Sequence, residues 1–127
     1  MKSRLSTIVE SRPLTPVEIE FVRWLLEHGG ARAQTFLSQL NGASVTSRCG
    51  CGCASFDVSI SGITHCGEKD VGMETLCDYQ WRTSSGALCG AFAFACAGVL
   101  AGIELWSIDG QETPSTIPPV SVLEPLT

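Results

Sequence analysis

The stretch "ALCGAFAFACAGVLAGIELW", residues 87–106, decides the fold, because it admits two incompatible readings. It is nearly uncharged over a length that would cross a bilayer as a helix. Against that, the run is rich in Ala and Gly, which contribute little to transfer free energy. Glu104 lies inside it, and no basic residues anchor its ends. Ala97-Gly98 falls near the middle as a turn signal. We therefore read two adjacent strands, folded back at Ala97-Gly98. The first is apolar on both faces, as a central strand covered on both sides should be.

Working outward, Asp109-Gly110 reads as a closing turn. The tail "QETPSTIPPVSVLEPLT", residues 111–127, has four prolines and is expected to be an extended strap rather than helix or interior strand. Upstream, "METLCDYQWRT" alternates, with Cys77, Tyr79 and Trp81 on one side and Asp78, Gln80 and Arg82 on the other. "ASFDVSI" alternates likewise, placing Phe56, Val58 and Ile60 together. Residues 62–72 read as a polar loop, and "ASVTSRC" as a short first strand. Before residue 42 the period is helical. Thr15, Pro16 and Glu18 form an N-cap, a first-turn proline and a capping box, with Leu14 and Ile19 as the staple. That helix runs to Gly29-Gly30, with His28 at its C-terminal end, where a cation suits the helix dipole. A second helix, "ARAQTFLSQL", carries Ala33, Phe36, Leu37 and Leu40 on one stripe. Residues 1–13 read as a flexible lead-in.

The expectation is one domain over 1–127, of class α+β. An N-terminal helical hairpin packs on a four- to five-stranded, mostly antiparallel meander, with the Pro-rich strap at the C-terminus. Something must cover the second face of 87–97, either the tail or a second copy of the chain in a homodimer.

Composition narrows function. With 127 residues, 44% hydrophobic, the chain should fold on a substantial core. A formal net charge of −5, with eight Lys and Arg of which no two adjoin, argues against nucleic acid as a partner. A membrane partner is not expected either. "MKSRLSTIVESRPL" has no apolar run after its charged residues, so a cytoplasmic protein with reduced thiols is the expectation. No G-x-G-x-x-G, P-loop or G-x-S-x-G occurs, and no catalytic residue is assigned. Asp57, Glu104, Asp109 and Glu112 offer at most an acidic patch.

The chemically distinctive segment is "SRCGCGCASFDV", residues 47–58. In a regular strand Cys49 and Cys53 would lie ~13 Å apart, too far to share an ion. A tetrahedral zinc–thiolate site needs sulfurs roughly 3.8 Å apart. Gly50 and Gly52 would let the chain curl and bring Cys49, Cys51 and Cys53 together, with His65, Cys66 or Cys77 as a fourth ligand. The C-x-C-x-C spacing departs from the usual paired C-x₂₋₄-C. Two other readings stand beside zinc: small buried residues packing as hydrophobes, and a reactive thiol near Arg48 with His65 as its base. Cys89 and Cys96 read as structural.

"LTPVEIEFVRWLLEHG", "RCGCGCASFDV" and "GVLAGIELWSIDG" followed by prolines together resemble a group of small bacterial proteins of unknown function. These combine an N-terminal helical hairpin, a C-x-C-G-C strand entry and a closing "LE-aromatic-S-x-DG" hairpin. The resemblance spans most of 14–119, puts Trp106 at the aromatic position, and carries no activity with it. By size and charge such acidic α+β proteins also look like immunity partners of bacterial toxins. Three functions follow as expectations: a non-enzymatic interaction or immunity/accessory factor whose acidic surface suits a basic protein, a small zinc-binding protein using the CGCGC cysteines, and a cysteine-dependent enzyme.

Overall fold

The computed structural model describes residues 7–61 and 73–126. Helix α1 spans Pro16–His28 and begins as its sequence dictates. Thr15 Oγ1 accepts from the Glu18 amide at 3.2 Å, and a Glu18 carboxylate oxygen accepts from the Thr15 amide at 2.8 Å. Its apolar stripe, Phe21, Val22, Leu25 and Leu26, is fully buried. At its end His28 Nδ1 meets the Trp24 carbonyl at 2.9 Å.

The second helix is shorter than its periodicity predicts. Helix α2 covers Ala31–Gln34, and a 3₁₀ turn follows at Leu37–Gly42. The Thr35 hydroxyl donates to the Arg32 carbonyl at 2.6 Å, a local bond that competes with helix continuation. Ala33, Phe36 and Leu40 still face inward, because the 3₁₀ turn keeps a period close to three.

Among the described residues seven strands form one antiparallel sheet: β1 (Thr7–Pro13), β2 (Ala43–Cys49), β3 (Phe56–Ile60), β4 (Met73–Arg82), β5 (Leu88–Cys96), β6 (Val99–Ser107) and β7 (Glu124–Pro125). Their order is β1-β2-β3-β6-β5-β4-β7. This corrects the expected four- to five-stranded meander, although the broad α+β kind holds. Residues 7–13, read as lead-in, pair with β2, and the tail supplies β7 on the free edge of β4. Nor is the path a meander, since β3 pairs with β6 rather than β4.

The decisive stretch is a hairpin. β5 pairs with β6 from Cys89↔Ser107 to Cys96↔Val99. Ala97 and Gly98 turn it with φ of 52° and 81°, the double positive φ of a twist-matched two-residue turn. The Gln39 side chain clamps this turn, donating to the Gly98 carbonyl at 3.1 Å and accepting from the Leu100 amide at 2.7 Å. Among the described residues no helix is long and apolar enough to cross a membrane.

Strand alternation sorts the hairpin into two faces. Cys89, Ala91, Ala93, Ala95, Ile103 and Leu105 join the helix-side core. Phe94, Cys96 and Ala101, with Met73 and Phe92 beside them, form a separate cluster on the opposite face. Among the described residues the tail, one of the two covers expected for that far face, reaches it only at Thr113 and Pro114, which share a cleft with Phe92. Ile117, Val120 and Leu123 pack into the helix-side core instead, beside Trp81. The tail is directed there by Leu123, which is buried, and by the bond from the Ala54 amide to the Pro114 carbonyl at 2.9 Å.

Candidate metal centre

The thiol segment is the connection between β2 and β3. β2 ends at Cys49, and the Cys49 amide donates to the Ser55 carbonyl at 3.2 Å, closing the loop between them. Within the loop Gly52 has φ of 98°, a left-handed conformation that glycine adopts without strain. The curl that a regular strand forbids is thereby achieved. The sulfurs of Cys49, Cys51 and Cys53 all lie within 4.8 Å of one another. Cys49 and Cys53 are buried, and Cys51 is exposed.

The loop is pinned from below by Ser55, which has no exposed surface. Its hydroxyl donates to the Leu105 carbonyl at 3.1 Å and accepts from the Leu105 amide at 2.7 Å. Cys53 Sγ sits 3.2 Å from the same oxygen. Ser55 thus continues with its side chain the β3–β6 ladder, whose backbone pairing stops at Phe56↔Ile103. It ties the Cys53 end of the loop to a central strand.

Cys49 Sγ and Cys51 Sγ are 2.9 Å apart. Burial, together with the hydrogen bonds to Cys51 and Cys53, pushes the Cys49 thiol up to about 11. Without a cation the Cys49 thiol therefore favours its protonated form, and a thiophilic cation would reverse that preference. The donor set fits such an ion. Opening the Cys49–Cys51 pair by about 1 Å gives the sulfur–sulfur edge of a zinc–thiolate tetrahedron.

The other candidates divide. His65 and Cys66 lie outside the described residues. Cys77 is buried in the helix-side core and takes no part in the cluster. Arg48 does not attend the thiols, because its guanidinium meets Glu10 at 2.6 Å. Cys89, fully buried, points its sulfur at the Glu112 carbonyl. Cys96 is buried too, and it is disulfide-bonded, which departs from the expectation of uniformly reduced thiols. The suggested acidic patch does not form as a unit: Asp57 accepts from Ser47, Glu112 from Thr83 and Ser85, and Asp109 from the Leu88 and Gln111 amides, while Glu104 is buried.

Sequence reasoning missed the surroundings. Cys51 also lines a cleft of about 580 Å³ on the face away from the helices, with Phe92, Glu104, Trp106 and Pro114. The Trp106 indole lies over Gly90, where an added Cβ would come within 2.6 Å of its Nε1. The signal in the sequence was the even-numbered set 92, 104 and 106, opposite in parity to the alanines of the core. Ser55 carried no comparable signal, since alternation placed it on the polar side.

No protein-family model matches the chain, and neither a curated protein nor a solved structure does.

Proposed function

We propose that this protein binds a thiophilic metal ion, zinc being the expected one, through Cys49, Cys51 and Cys53. The observation that carries the reading is the convergence of the three sulfurs within 4.8 Å in a loop that Gly52 bends and Ser55 anchors. Thiolates are the donors zinc prefers in structural sites, and a buried Ser55 contact beside Cys53 supplies the kind of outer support such ligands need. The fourth ligand is His65, which lies outside the described segments, or a solvent molecule on the exposed Cys51 side, since Cys49, Cys51, Cys53, Cys77 and Cys89 are the free thiols and Cys96 is in a disulfide. Elemental analysis of protein purified without chelator or affinity metal tests the reading. Near one equivalent of zinc supports it, and less than about a tenth of an equivalent dismisses it.

A protein-interaction role is the second reading, favoured by edge strand β1. Val9 on that strand is 84% exposed and Ile8 40% exposed, beside a backbone edge that no other strand among the described residues occupies. A second copy, or a basic partner suited to the net charge of −5, would meet it there. Sedimentation of the wild-type chain against Val9→Lys tests the self-association arm; identical monomeric behaviour of both removes it.

A further inference from the structure

We propose that Cys49 and Cys51 form a dithiol redox pair, oxidised by low-molecular-weight disulfides, whose closure releases the bound metal. The metal-release half rests on the metal reading above; the redox half rests on the sulfur geometry alone. The two sulfurs are 2.9 Å apart. A disulfide bond needs about 2.05 Å, and a zinc–thiolate edge about 3.8 Å. The pair stands between the two, and a shift of about 1 Å in either direction reaches one or the other. The same two atoms therefore serve two mutually exclusive states.

Exposure assigns the roles. Cys51 is exposed and borders the cleft, so an incoming disulfide reaches it first. Cys49 is 1% exposed and meets an oxidant only through Cys51. The Cys51 thiolate attacks one sulfur of RSSR, forming a Cys51–S–S–R mixed disulfide and expelling RS⁻. The Cys49 thiolate then attacks Cys51 Sγ, the S–S–R bond breaks, and a second RS⁻ departs. The protons from Cys49 and Cys51 leave with the two thiolates. The balance is one protein dithiol plus RSSR to one protein disulfide plus two RSH, and the two electrons go to the small disulfide. Any bound zinc leaves unchanged as the dication, having lost two of its three sulfur ligands. Cys53 remains a thiol beside Ser55.

The test uses the full chain, prepared metal-free under anaerobic conditions and exposed to glutathione disulfide. The expected product has lost the mass of two hydrogens, retains no glutathione, and fragments with a Cys49–Cys51 link. Cys53→Ser should give the same product, and Cys49→Ser should stop at a glutathione adduct on Cys51. A lasting adduct on wild-type Cys51, a link to a different cysteine, or no reaction overturns the redox pair. None of these readings depends on metal, and the wild-type measurement needs no variant to fold. In parallel, zinc-loaded protein treated with the same disulfide should pass its zinc to a chromophoric chelator as the link forms. Zinc retained after the link has formed overturns the release step. A chain that never takes up zinc overturns the metal reading, and the release step with it, while the disulfide result stands on its own.

Discussion

Ser55 sits on the second face of an alternating strand by its sequence position, yet its hydroxyl is buried and bonded to both polar groups of Leu105. Removing it leaves that amide and that carbonyl without their partner inside the sheet. Each orphaned buried group costs ~1–3 kcal/mol, so Ser55→Ala should lower stability by about 2–4 kcal/mol in urea unfolding. On the proposed metal reading it should also weaken zinc by at least tenfold in chelator competition, because Cys53 loses its support. Unchanged affinity would show that the loop holds its shape without β6. Ala97 is a second residue whose backbone decides its energetics. Its φ of 52° is left-handed, which costs a non-glycine residue about 1–2 kcal/mol. Ala97→Gly recovers that cost and loses about 0.4–1 kcal/mol to unfolded-chain entropy. The net expectation is a small gain, on the order of 0.5 kcal/mol, visible as a raised Tm. Ala97→Val should lower it instead, since a β-branched residue tolerates that region least. Both positions show what the sequence could express at this scale: the turn at Ala97-Gly98 was readable from local composition, whereas the burial of Ser55 depends on a partner fifty residues away and was not.

Helix α1 was legible because its start signals are local: Thr15, Pro16 and Glu18 act within one turn of each other. β1 and β7 were not, because an edge strand is defined by the neighbour it pairs with, and those neighbours, β2 and β4, are distant in sequence. One residue joins the legible element to the illegible one. Glu18 completes the capping box and also receives both arms of the Arg12 guanidinium from β1, at 2.9 and 3.0 Å. Burial raises the Glu18 carboxyl, but the Arg12 bonds and the Thr15 amide outweigh it and hold it below its ordinary value. A carboxylate depressed in the folded state contributes stability above its unfolded pKa and loses it as pH falls through the lower folded value. Glu18→Gln keeps a capping acceptor and removes the charge, so it should cost about 1–2 kcal/mol at neutral pH. The variant's stability should also fall less steeply below pH ~4, the ordinary carboxylate range. Parallel acid curves for variant and wild type would show that the helix–strand tie is not electrostatic.

Across the whole molecule the convergence of Cys49, Cys51 and Cys53 was foreseeable only as one of three readings, because spacing alone does not say whether a glycine-bearing loop curls or extends. The reading of Cys89 as a small buried residue of a central strand was legible, and the burial of Cys49, Cys77 and Cys89 has a collective consequence. Burial pushes Cys77 up to about 11, with Asp78 adding to the rise, and it also raises Cys49, Cys89 and the Tyr79 phenol. A raised pKa means that the folded chain holds its proton more tightly than the unfolded chain. Such a group contributes fully below the ordinary thiol range near 9 and loses its contribution as pH climbs through the folded value. For Cys77, which lies in the core against β5, a shift from 9 to about 11 corresponds to about 2–3 kcal/mol. The metal-free protein, kept anaerobic so that its thiols stay unoxidised, should therefore lose stability steadily between pH 9 and 11 in urea unfolding. Cys77→Ala should start lower, by about 1–2 kcal/mol for the lost packing, and fall less steeply over the same window. If the two curves descend in parallel, the alkaline loss belongs to the other raised groups and Cys77 titrates no differently in the core than in the unfolded chain.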